Sequence, residues 1–145
     1  MNAQEIYDKV ATHLRTQGRP SKKAQACFYR GPNDLQCAIG CLVDDETGKR
    51  WDEIDGETRI SHIIKRHAEG EFLLPEDMEP EEGVEFLDRL QFVHDETETV
   101  ADVVQLLHDE VLIEKNGAFD REDLEKCLIQ AARAYKLEYK LEYKP

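Results

Sequence analysis

Basic residues are outnumbered by acidic ones in this chain, and it has no long apolar run and no glycine-rich phosphate loop. Its 19 Lys and Arg face 32 Asp and Glu, a formal net charge of −13. A field of that sign repels nucleic-acid phosphate, so direct DNA or RNA binding is not expected. The longest apolar stretches, "CAIGCLV" and the interrupted "VADVVQLLHDEVLI", fall short of the roughly 20 residues that span a membrane. The start, "MNAQEIYDKV", has neither the apolar core nor the small-residue cleavage site of a secretory signal. The expectation is a cytoplasmic protein whose thiols stay reduced, so its four cysteines are not read as two disulfides. "DDETGKRWDE" contains one glycine, which is not the pattern of a phosphate-binding loop.

What is present suits one soluble globular domain: 145 residues, 40% hydrophobic and 35% charged, enough to bury a core without staples. The charge is unevenly spread. Residues 1–43 carry six Lys/Arg against three Asp/Glu, residues 44–118 carry seven against twenty-three, and residues 119–145 carry six against six. Two readings of the acidic block stay open: a solvated face that keeps the chain soluble, or a surface that docks a basic partner, even as a nucleic-acid mimic.

Ile6, Val10 and Leu14 recur every four residues and predict a first helix, stopped by Gly18 and Pro20. The link "GRPSKKAQ" is polar and basic. Two strands are expected next, "CFYR" and "QCAIGCLV", joined by "GPNDL". In that turn Pro32 sets φ, and Gly31 and Asn33 tolerate unusual values. The hairpin would present Cys37, Ile39, Cys41 and Val43 to covering helices.

"DDETGKRWDEIDGE" reads as a charged loop anchored by Trp51 and Ile54. A short helix follows with Ile60, Ile63 and Ile64 inward, then a loop, "PEDMEPEE". A longer helix carries Phe86, Leu87, Leu90, Val93 and His94 on one face. Another is predicted over "TETVADVVQLLHDEVLIEK", capped by Thr99, with Val100, Val103, Val104, Leu107 and Val111 inward. The last starts at Asp120, with Phe119 and Leu124 as a hydrophobic staple, and turns Leu124, Leu128, Ala131 and Tyr135 inward. The repeated "KLEYKLEYKP" either continues that helix or frays, which makes residues 1–135 the globular part and 136–145 a tail. The predicted fold is α+β: a mostly helical single domain of four to five helices with a small antiparallel hairpin.

Three chemistries are candidates. Cys27, Cys37 and Cys41 with one histidine, His94, would make a Cys₃His zinc site. In a regular strand, however, Cys37 and Cys41 lie about 13 Å apart, whereas two thiolates on one zinc ion are at most roughly 4.6 Å apart. Zinc therefore requires "CAIGCL" to break at Gly40 or to curl into a helical turn. The same cysteines suit core packing, since cysteine behaves as a small hydrophobe. Cys41 or Cys37 with His94 and Asp95 would supply a nucleophile, a base and an orienting carboxylate, although the acidic surroundings raise a thiol pKa. "LIEKNGAFDRED" mimics a calcium loop, with Gly117, Phe119 and Asp123 in place but Leu112 where the first carboxylate belongs. The remaining histidines, His13, His62, His67 and His108, form no i,i+4 pair. For recognition at the surface the expected residues are Tyr29, Arg30, Asn33 and Asp34 at the turn, and Asp95, because binding groups concentrate on loops held by a rigid scaffold.

The stretches "VATHLRTQGRPS", "CFYRGPNDLQCAIGCLVDDE" and "LDRLQFVHDETETVADVVQLLHDEV" resemble a group of small uncharacterised proteins of tailed bacteriophages and prophages. They are more distantly similar to actinobacterial proteins of unknown function, which carry Ala where this chain has Cys41. The likeness spans roughly residues 3–113. It implies a phage accessory protein acting in the host cytoplasm, assigns no catalytic residue and no cofactor, and argues against a zinc site that needs Cys41. The expected function is a non-enzymatic interaction with a protein partner, a basic host or phage protein.

Overall fold

A computed structural model describes residues 1–23, 26–54, 59–106 and 111–140, with the side chains of 23, 26, 100–106 and 111–116 undescribed. The chain opens with α1, Ala3–Gln17, bounded as its sequence dictates. Asn2 and Glu5 form a reciprocal capping box, and Gly18 takes the left-handed conformation at φ 72° and closes the helix on Leu14. Tyr7, lying on its inward face, donates from its hydroxyl to the carbonyl of Leu128, 2.8 Å away, which ties the first helix to the last.

The predicted hairpin over Cys27–Val43 is corrected. Two two-residue strands, β1 (Lys22–Lys23) and β2 (Ala26–Cys27), pair antiparallel before it. The turn is where it was expected. Gly31 N–H donates to the Leu35 carbonyl at 2.8 Å, and Asn33 and Asp34 both take positive φ. Beyond the turn no strand forms. Residues 37–43 curl, with Cys41 N–H donating to the Cys37 carbonyl at 3.1 Å and a 3₁₀ turn over Gly40–Leu42. Cys37, Ala38 and Ile39 are buried in succession, as a curled segment permits and an alternating strand does not.

The expected loop after it is helical from Asp45 to Asp52 (α2), because Asp44 accepts from Thr47 N–H and so caps it. Trp51 is completely buried and Ile54 packs on the core, so both anchors hold. α3, Ile60–His67, ends at Ala68 in the left-handed conformation. α4, Pro80–Glu96, buries Phe86, Leu87, Leu90, Val93 and His94 as its periodicity predicts.

The helix predicted over 97–115 is also corrected. Thr99–Leu106 (β3) and Val111–Phe119 (β4) pair antiparallel, with an irregularity between Val100 and Asp102. Val100, Val103, Val104 and Val111 fit a helical face by spacing, but β-branched residues lose side-chain freedom in a helix and favour extended backbone. The intervening Leu107 and His108 lie outside the described residues.

α5, Arg121–Ala134, starts where predicted. Asp120 accepts from Asp123 N–H, and Phe119 and Leu124 are both buried. The helix does not run on into the repeat. Lys136 reverses the chain at φ 55°; Glu138 and the Gln4 side chain exchange two hydrogen bonds, and the Tyr139 hydroxyl donates to Glu125. The last residues, 141–145, lie outside the described residues. The result is a mostly helical α+β domain, whose core gathers Trp51, Tyr7, Phe86, Ile39 and Ile60 among its largest fully buried side chains.

Candidate functional site

Helical spacing puts Asp88, Gln91 and Asp95 of α4 on one face, with His94 turned inward beside them. These residues organise the candidate site. The Gln91 side chain accepts from Ile60 N–H at 2.9 Å and donates to the Tyr29 hydroxyl at 3.1 Å. Asp88 accepts from Ser61 N–H at 3.2 Å. Two backbone donors at the start of α3 are therefore satisfied from α4, and Arg59 at the cap position makes no side-chain cap bond of its own.

His94 is completely buried, with Phe119 packed edge-on 6.0 Å away. Its Nε2 lies 2.8 Å from Ser21 N–H, and its Nδ1 lies 2.7 Å from Asp95 Oδ1. An amide N–H can only donate, so Nε2 is an acceptor and the ring proton sits on Nδ1, where it is donated to Asp95. Among the described residues, Cys27, His94 and Asp95 form a group whose potential ligand atoms lie within 4.8 Å of one another.

Zinc does not fit this group. A metal on Nδ1 displaces the proton held there, and a neutral ring then carries it on Nε2, facing the Ser21 N–H that already points at it. The Cys₃His set fails for a further reason: among the described residues, neither Cys37 nor Cys41 joins Cys27 and His94 in a group whose ligand atoms lie within 4.8 Å of one another. Gly40 N–H donates to Cys37 Sγ at 3.2 Å, and the Cys41 thiol donates to the Ala38 carbonyl at 3.0 Å. The curl that zinc would require does occur, but these bonds within the turn hold it.

The thiol-nucleophile reading meets the same commitments. Burial pushes the Cys37 thiol far above the ordinary range, and pushes Cys41 up to about 12; such thiols are not ionised near neutral pH. The cysteine beside His94 and Asp95 is Cys27, the one omitted from the catalytic candidates. Asp95 does orient the ring through Nδ1, but Nε2, the nitrogen left to take a proton from a thiol, accepts from Ser21 N–H instead.

The recognition candidates divide. Tyr29 is 4% exposed, with its ring edge-on to Trp51 at 5.4 Å. Arg30 donates to the carbonyls of Tyr29, Gly40 and Val43 at 2.6–3.1 Å and pairs with Asp45 at 2.8 Å. It clamps the curled segment and presents little to a partner. Asn33 and Asp34 are exposed. The calcium-loop mimic is spent on structure, since Asp120 and Asp123 accept from Asp123 N–H and Glu98 N–H.

Asp95 borders a cavity of about 310 Å³ on the outward side of α4, and a second of about 570 Å³ adjoins it through Glu85 and Asp88. Arg89 and Phe92, which line the first, escaped sequence reasoning because it followed the inward face of this helix. The available signal was an aromatic placed off that face. Comparison with family models, curated proteins and solved structures finds no match. Among the described residues, no helix is long and apolar enough to cross a membrane.

Proposed function

We propose that this chain is a non-enzymatic, acidic interaction protein that binds the basic surface of another protein. One observation supports this most directly. Between Glu71 and Asp88 the sequence has no Lys or Arg, and Glu71, Glu76, Asp77, Glu79, Glu81, Glu82 and Glu85 are all exposed. Interspersed cations would serve solubility equally well, whereas a field of a single sign steers a partner of the opposite sign.

The likeness to tailed-phage and prophage proteins makes the partner a host or phage protein, nucleic-acid-binding proteins included, and the place of action the host cytoplasm. The test is capture from host lysate, followed by titration with the purified partner across salt from about 50 to about 300 mM, where screening shortens from above to below 10 Å. Affinity should fall steeply over that range. Binding that ignores salt, or partners that are themselves acidic, would end this reading.

A further inference from the structure

We propose that the two adjoining cavities on the outward side of α4 form one groove that receives an amphipathic basic segment of the partner, its apolar side chains on the floor and its cations on the rim. This rests on the basic-partner reading above and gives it a place and a ligand chemistry. The larger cavity has an aliphatic floor of Ile64, Leu74, Pro80 and Val84. Its rim carries Glu71, Glu81, Glu85 and Asp88 against one cation, Lys65. In the smaller cavity, Asp95 and Glu96 extend the acidic edge, and Phe92, 48% exposed, offers an aromatic surface. Together the walls hold six carboxylates and three cations, Arg59, Lys65 and Arg89.

A bare polycation would find charge here but leave the aliphatic floor uncovered. A purely apolar segment would leave the rim without counter-ions. A segment with apolar residues at helical spacing and Lys or Arg between them satisfies both. Arg89 adds an independent pointer. Its guanidinium stacks over Phe92, 5.5 Å from the ring centre, and its Nε is buried with no hydrogen-bond partner among the described residues. A buried donor of this kind lacks an acceptor, and a carbonyl of the incoming segment supplies one.

The experiment uses the full chain and a fluorescein-labelled synthetic helix of leucines and lysines, compared with an oligolysine of equal charge. Glu81 and Glu85 are exposed rim residues, so Glu81→Lys with Glu85→Lys alters the groove without touching the core. Glu46→Lys with Glu122→Lys makes the same charge change on α2 and α5, both exposed and outside the groove.

The expected result is tighter binding of the leucine-lysine helix than of oligolysine. The rim pair should weaken that binding about tenfold or more, and the distant pair about twofold, since reversing a contacting charge costs far more than a remote one. Equal loss in both double variants overturns the groove and leaves the acidic reading standing. No binding of either peptide at low salt overturns both. Should the protein self-associate and lose this in the rim variant, the occupant is a second copy, and the partner segment is refuted.

Discussion

The amide of Ser21 points at Nε2 of His94 from 2.8 Å, across seventy-three residues of chain. This one bond joins the link after α1 to the end of α4 and decides which nitrogen of a buried imidazole carries the proton. It also explains why a histidine beside a cysteine and an aspartate serves as a structural post.

His94→Ala should therefore cost about 3 kcal/mol or more, because it opens a cavity and leaves a buried N–H without an acceptor. Urea unfolding of the variant measures it. A loss under about 1 kcal/mol would mean that Ser21 finds another partner and that the bond has been overrated.

The tautomer argument makes a second prediction. Zinc in slight excess, or EDTA, should leave the melting temperature of the wild-type protein unchanged, since a metal bound to the native state raises it by mass action. A zinc-dependent rise that Cys27→Ser abolishes would show that Ser21 gives way and that the cluster accepts a metal.

Arg30 gathers three carbonyls and one carboxylate with a single guanidinium. A lysine has one ammonium and cannot span them. Arg30→Lys is expected to lose about 2–3 kcal/mol, in line with charge-assisted bonds left unmade. Gly40→Ala should be as damaging, because a Cβ there meets the Tyr29 carbonyl oxygen. Thermal melts of both variants check this, and a near-native Gly40→Ala would mean that the curled turn is looser than described.

Thiol labelling reads the same turn. With its pKa pushed up to about 12, Cys41 should react with iodoacetamide at pH 8 about a thousandfold more slowly than an ordinary cysteine. Cys37, raised further and fully buried within its turn, should be slower still until urea unfolds the protein. Fast native labelling of either, located by peptide mass spectrometry, contradicts the turn.

His13 supplies a pH dependence. Burial lowers its pKa below the ordinary 6.5, outweighing the bond it donates to the Gln36 carbonyl. The unfolded chain then binds the proton more readily than the folded one. The stabilisation is present above pH 6.5 and is lost as pH falls through the folded value. Urea midpoints should drop on acidification below 6.5, and less so in His13→Gln; an identical slope in the variant would assign the effect to other groups.

Much of the helical frame was legible. α1, α4 and α5 announce themselves through their apolar spacing, with Gly18 closing the first and Asp120 opening the last, whereas Pro80, read as part of a loop, begins α4. The Gly31–Leu35 turn was legible too, because Pro32 fixes φ and Asn33 tolerates the positive φ it adopts. α2 was missed because it buries little more than Trp51 and holds Gly48. The Arg30 side chain lies against that glycine, where a Cβ would sit 3.0 Å from Arg30 Cγ and press it aside by a few tenths of an ångström.

The capped helices, the turn and the surplus of acid in the middle of the chain thus follow from local sequence, since all of them rest on the character of neighbouring residues. Tertiary structure alone decided three things: that "CAIGCL" curls, that residues 99–119 pair as strands, and that His94 is held by Ser21 and Asp95. An alternating apolar pattern is compatible with a strand until Arg30 collects the Gly40 and Val43 carbonyls. A histidine between Val93 and Asp95 is equally suited to catalysis, metal binding or structure. The choice falls to a backbone donor seventy-three residues away, and no local signal encodes a bond of that range.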